Sequence, residues 1–208
     1  MAPIHTMDYR LGLYEKAMPN TLDWAEKFAC AKAAGFDYVE ISIDETDEKL
    51  ARLDMPQSER LELLATMYKQ DIFLETMCLS GHRKYPLGSE DEALRARGMQ
   101  IMEKAILLAR DLGVRIIQIA GYDEYYQPSN NRTLEYFGQN LRKSVDLAAQ
   151  YGIMLAFETM ETPFLNTVEK AMYWVETIQS PYLMIYPDTG NLVNAAKEAG
   201  LDVLDDIR

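Results

Sequence analysis

The sequence predicts an α/β barrel of the (β/α)8 kind, with only about six β-α units present. Three observations carry that prediction. Short apolar runs alternate with longer amphipathic stretches from one end of the chain to the other, and several of those stretches close on glycine, the residue that most readily takes the left-handed conformation past a helix end. No GxGxxG, and no GxxxxGK followed by Ser or Thr, comes after any strand, so the phosphate-cradling loops of nucleotide-binding open sheets are missing. Polar residues instead gather at the C-terminal ends of the strands, at Glu15, Asp44, His82, Asp123, Glu158 and Asp188, the rim at which barrel enzymes build their sites.

Taken in order, residues 9–14 (YRLGLY) read as the first strand. Thr21 is placed to cap a helix running to Ala34 and closed by Gly35, because a side-chain oxygen at the start satisfies an orphan N–H. Residues 36–43 (FDYVEISI) form the second strand, and residues 58–70 a helix with Leu61, Leu64 and Tyr68 on one face. The third strand is 72–80, followed by a long helix over 90–112 that Gly113 ends. The fourth strand is 114–120, then a helix over 131–151 closed by Gly152. A fifth strand at 153–157, a helix at 167–178, a sixth strand at 183–186 and two helical pieces at 194–199 and 201–207 complete the chain. Residues 1–8 read as a tail and 9–208 as one incomplete barrel domain. A full barrel has eight units in about 250 residues, so roughly two units are expected beyond these. An open six-unit barrel would leave two strand edges unpaired.

Composition narrows the function. The 208 residues are 48% hydrophobic and 26% charged, with 33 acidic and 21 basic side chains and a net charge of −12. A nucleic-acid partner is therefore not expected, since it requires a basic stripe that displaces counterions. With no run of about 18 apolar residues and no apolar leader, membrane insertion is not expected either, and the protein reads as cytoplasmic. Cys30 and Cys78 lack CxxC spacing and read as reduced core thiols.

The strongest chemical candidates are Glu158 in LAFETMETP and Asp188 in LMIYPDTGN, each where an apolar strand leaves the barrel. Carboxylates converging at low dielectric repel one another, and a divalent cation is the usual compensation; solvation or pairing with Lys or Arg is the alternative. His82, Arg83 and Lys84 follow the third strand as the most basic short cluster of the chain, suited to a phosphate or a sugar hydroxyl. Glu40 shares a strand face with Tyr38 and Ser42, so it either enters the barrel as part of a substrate shell or forms a structural ion pair. Asn191 could meet a substrate oxygen, with a helix cap as its default role. GxSxG and HExxH are both missing.

The segments YRLGLYEKAMP, DYVEISIDETDEKLARLD, MCLSGHRKYPLGSEDEALRARG, QIAGYDEYYQ and YPDTGNL together resemble the L-ribulose-5-phosphate 3-epimerases of L-ascorbate catabolism, often labelled hexulose-6-phosphate isomerases. These lie within the xylose-isomerase-like TIM barrel superfamily, with D-tagatose 3-epimerase and endonuclease IV as distant relatives. The resemblance implies a divalent metal, zinc or manganese, a small sugar phosphate as substrate and a homodimer. It implies ligands Glu, Asp, His and Glu from strands five to eight. Glu158 and Asp188 match the first two, Glu158 also being the catalytic base, and the others are expected beyond Arg208. On that footing the protein interconverts L-ribulose and L-xylulose 5-phosphates through an enediolate, and this chain alone is expected to be inactive. An aldose–ketose isomerase of the same fold, or a non-catalytic truncated barrel, are the alternatives. The distant ketose 3-epimerases carry His where this chain has Asn191.

Overall fold

A computed structural model describes residues 9–200 and 202–207; the predicted tail at 1–8 lies outside them. Six strands form one sheet: β1 (Gly12–Tyr14), β2 (Tyr38–Ile43), β3 (Phe73–Leu79), β4 (Ile116–Ala120), β5 (Met154–Glu158) and β6 (Leu183–Tyr186). All pairings are parallel and the strands stand in the order β1-β2-β3-β4-β5-β6. Each new strand joins the outer edge of the last, with none of the reversal that marks a doubly wound sheet, which is the progression of a barrel wall. The helices are α1 (Trp24–Ala33), α2 (Asp47–Ala51), α3 (Gln57–Gln70), α4 (Glu92–Leu112), α5 (Asn131–Gln150), α6 (Val168–Ile178), α7 (Thr189–Ala199) and α8 (Val203–Ile207). Among the described residues no helix is long and apolar enough to cross a membrane.

The strands sort their side chains by alternation. Val39, Ile41, Ile43, Met77, Leu79, Ile117, Ile119, Leu155 and Phe157 are buried in the layer beneath the helices, where they meet Phe28, Ile101, Met102, Phe137, Leu141 and Val145. The opposite set turns inward: Tyr14, Glu40, Ser42, Thr76, Cys78, Gln118, Glu158 and Tyr186. Register brings these side by side, Tyr14 beside Glu40, Glu40 beside Thr76, Cys78 beside Gln118 and Glu158 beside Tyr186. A bulge between Val39 and Glu40 leaves Glu75 outside this column, on Arg10. Gly12 makes room for the Tyr38 ring at the base of the barrel, where a Cβ would lie 2.4 Å from the ring unless it shifted.

Several expectations shift. Asp23, not Thr21, caps α1, sharing a capping box with Glu26, and Thr46 starts the short α2 that no apolar period announces. α7 begins at Thr189 rather than 194. On α3 the buried residues are Leu63 and Met67, while Leu61 and Tyr68 are 57% and 73% exposed. That helix carries two apolar stripes, and the packing of α1 and α4 against it, not its own period, selects one. Cys78 is buried as expected, but Cys30 is exposed. Gly35, Gly113 and Gly152 take positive φ at their helix ends.

Candidate functional site

At the C-terminal ends of β5 and β6 two carboxylates stand in one electrostatic field. Glu158 is the last residue of β5 and half-buried. Burial raises its pKa, the negative charges of Asp188 and Glu40 add to the rise, and a hydrogen bond from Gln118 with the charge of Arg83 opposes it. Asp188 lies just past β6 and caps α7, its Oδ1 accepting the N–H of Asn191 at 2.9 Å. A clasp on Thr159 holds this segment to the end of β5. The Asp188 N–H donates to Thr159 Oγ1 and the Asn191 amide donates to the Thr159 carbonyl, both at 2.9 Å. Neither Glu158 nor Asp188 has a salt-bridge partner among the described residues. Nor do three His, Cys, Asp or Glu side chains converge there as a metal cluster among the described residues.

Beneath this pair lies Glu40. Its Oε2 accepts Thr76 Oγ1 at 2.7 Å, and the Tyr186 hydroxyl reaches it at 3.4 Å across the barrel. Burial raises the Glu40 pKa against those two hydrogen bonds. Of the two orientations open in the sequence, Glu40 takes the inward one and has hydroxyls, not a cation, for partners. Tyr14 and Ser42 join hydroxyls at 3.1 Å, and burial pushes the neighbouring Cys78 thiol up to about 12. Gln118, Tyr186, Tyr14, Thr76 and Cys78 were not among the expected site residues. Their signal is a polar side chain at alternate positions of an otherwise apolar strand.

Other expectations are corrected by the packing. His82 does not face the rim. It is 4% exposed, with Nε2 3.0 Å from the Gly98 carbonyl of α4, and burial pushes its pKa down to about 4. Gly98 also lets the 85–87 loop pack onto α4, since a Cβ there would meet the Tyr85 carbonyl at 2.4 Å. Lys84 is exposed and pairs with Asp47 at 4.0 Å. The Asn191 side-chain amide is spent on the Thr159 clasp. Arg83 alone of the three basic residues is felt by Glu158. Glu15 is a structural hub, fully buried and ion-paired with Lys27, Lys49 and Arg52. Asp44 pairs with Lys16 at 2.5 Å and accepts from Thr46, which hold it down to about 2 against its burial. Asp123 anchors Ser129 and Thr133 at the start of α5.

The sequence profile of the xylose isomerase-like TIM barrel family matches residues 28–208. The chain belongs to that family. It is 47% identical over 182 residues to the L-ribulose-5-phosphate 3-epimerase UlaE of Shigella boydii serotype 18, covering 88% of this chain and 64% of that one. This member of the xylose isomerase-like family therefore spans 64% of the length of that relative. Its fold matches a crystal structure of D-psicose 3-epimerase in the presence of D-fructose, with a TM-score of 0.76 at 19% identity over 89% of this chain and 65% of the other. A structure of L-ribulose 3-epimerase superposes with a TM-score of 0.69 at 20% identity, over 88% and 62%.

Proposed function

We propose that this chain carries part of the active site of a divalent-metal-dependent 3-epimerase that interconverts L-ribulose 5-phosphate and L-xylulose 5-phosphate. The observation that carries the reading is the pair Glu158 and Asp188. They are two carboxylates at the ends of adjacent parallel strands, each in the other's field, with no cation bonded to either among the described residues. That donor set fits a hard or borderline divalent ion, which relieves the repulsion. Glu158 and Asp188 would hold it together with ligands from parts of the fold outside these residues, since a catalytic site normally needs about three protein ligands. When bound, the ion supplies Lewis acidity to the ketose carbonyl.

The chain's own residues do the rest of the chemistry available here. Glu158 holds or moves the proton at C3, and its raised pKa suits a group that must both take and return a proton. Loss of that proton leaves an enediolate on the sugar, and inversion requires its return on the opposite face from a second carboxyl group outside these residues. Glu40 and Arg83, whose charges both act on Glu158, would line the substrate side of the same site. A zinc or manganese ion, a homodimer and a cytoplasmic role in L-ascorbate utilisation accompany this reading, supported by the sequence resemblance alone. The test is proton NMR of L-ribulose 5-phosphate in D2O with added Zn²⁺ or Mn²⁺. Deuterium entering at C3 supports the reading. Label at C1 with aldose formation would replace it by aldose–ketose isomerisation, and no exchange at either carbon would leave the chain without that activity.

A further inference from the structure

Two buried polar groups near Glu158 have no partner of good hydrogen-bond geometry and interact mainly with each other. Arg83 Nε and the Tyr122 hydroxyl both lack such a partner among the described residues, although Tyr122 is only 2% exposed. A buried donor left poorly paired costs about 1–3 kcal/mol; with Arg83 turned to the Tyr122 oxygen, the phenol proton and the rest of the guanidinium fork remain for an acceptor from outside the chain. We propose that Arg83 and Tyr122 form a two-donor anion subsite that seats the phosphoryl end of the substrate. This rests on the sugar-phosphate reading above and orients the sugar within it.

The local chain explains why these two groups converge. The turn Gly81–Arg83 follows β3 with His82 driven inward onto the Gly98 carbonyl, which throws the next side chain, Arg83, toward the end of β4. There Gly121 lets the backbone press against β5, since a Cβ would lie 2.7 Å from the Glu158 carbonyl, and Tyr122 follows directly. The Arg83 guanidinium lies 4.7 Å above the Tyr125 ring, a stacking that fixes its plane. Tyr122, Tyr125 and Tyr126 continue as an aromatic row with centroids 5.0 and 4.9 Å apart, and the Tyr126 hydroxyl bonds Glu45 at 3.0 and 3.2 Å. Glu45 is thereby engaged, and Arg83 makes no salt bridge among the described residues. Arg83 opposes the rise that burial imposes on both Tyr122 and Glu158, which puts the subsite beside the carboxylate pair. An Arg fork and a phenol hydroxyl are donors suited to the several acceptor oxygens of a phosphate monoester.

The test is calorimetric titration of the protein with inorganic phosphate at fixed ionic strength, then with L-ribulose 5-phosphate and with L-ribulose. The proteins are the unaltered chain, Arg83→Met, Tyr122→Phe and Lys84→Met, each checked for native circular dichroism. The expected result is saturable phosphate binding that weakens about tenfold or more in Arg83→Met, the loss of one charge-assisted contact. A severalfold loss is expected in Tyr122→Phe and none in Lys84→Met, with the preference for the phosphorylated sugar shrinking in parallel. Absence of phosphate binding, equal losses in Arg83→Met and Lys84→Met, or tighter binding of a sugar carboxylate than of phosphate would each overturn the proposal. Should Arg83→Met fail to fold, Tyr122→Phe alone decides, since it removes one hydroxyl and its unchanged affinity also overturns the subsite. The C3 exchange experiment reports separately on the epimerase reading, so failure of one is distinguishable from failure of the other.

Discussion

Two acidic positions that look alike in the sequence, each a glutamate at the end of a barrel strand, end in opposite electrostatic states. Glu15, after β1, is fully buried, yet Lys49, Arg52 at 2.6 Å, Lys27 at 3.5 Å and the Ser42 N–H at 3.1 Å surround it. Burial pushes its pKa up, but the hydrogen bonds from Arg52 and Lys49 outweigh that and hold it below the usual carboxylate range. Glu158, after β5, is less buried, but its carboxyl neighbours Asp188 and Glu40 reinforce burial and its pKa rises. Position at the rim thus says little about environment; the sign of the surrounding charge divides a carboxylate paired within the chain from one set among like charges. The first is satisfied within the chain, whereas the second holds unspent electrostatic free energy that a cation or a moving proton can release.

The contrast makes its largest forecast at Glu158. Glu158→Gln should lower C3 exchange by about 10²–10⁴-fold, the usual worth of a positioned acid–base group, while thermal unfolding shifts little or upward because a repelled charge is gone. A large stability loss would place Glu158 in the same class as Glu15. Glu15→Gln should do the reverse, costing about 3–5 kcal/mol in denaturant unfolding by leaving buried cations uncompensated. A loss below about 1 kcal/mol there would mean that solvent already screens the hub.

A third titratable group, buried against α4, sharpens the distinction. His82 has a folded pKa near 4, below the unfolded value of about 6.5. Between those values the unfolded chain binds more protons, so stability is full above about pH 6.5 and falls toward pH 4, by on the order of 1.4 kcal/mol per pH unit. Unfolding curves across that window should flatten in His82→Gln, and an unchanged slope would show that His82 titrates normally. The smallest effect is expected from Thr159→Val. Losing the acceptor for the Asp188 N–H should cost about 1–2 kcal/mol, measured by the same unfolding curves, and should reduce exchange far less than Glu158→Gln.

Much of the wall was legible in the sequence because each β-α unit announces itself locally. β6 is found where the apolar run 183–186 predicts it, and Gly113 and Gly152 end α4 and α5 as their positions require. α2 was not, since five residues capped by Thr46 carry no apolar period. The buried face of α3 was not, since Leu61–Leu64–Tyr68 and Leu63–Met67 are equally good stripes until α1 and α4 choose. The neighbouring positions of Glu158 and Asp188 were legible from where the apolar strands stop. The Tyr186 hydroxyl on Glu40 was not, because the two residues are 146 apart in sequence and meet only through the curvature of the sheet. His82 misled because a basic loop reads as solvated until Gly98 brings a carbonyl close enough to hold the ring.

The clasp on Thr159 has a mechanical meaning. Glu158 and Thr159 are consecutive, and Thr159 grips both Asp188 and Asn191 from a fully buried position. The chain segments that carry the two carboxylates are therefore tied together at one point, by two hydrogen bonds on Thr159. In the metal-dependent reading proposed above, that tie would present both carboxylates to one ion from neighbouring strands, so loosening it would weaken the ion's hold without touching either ligand.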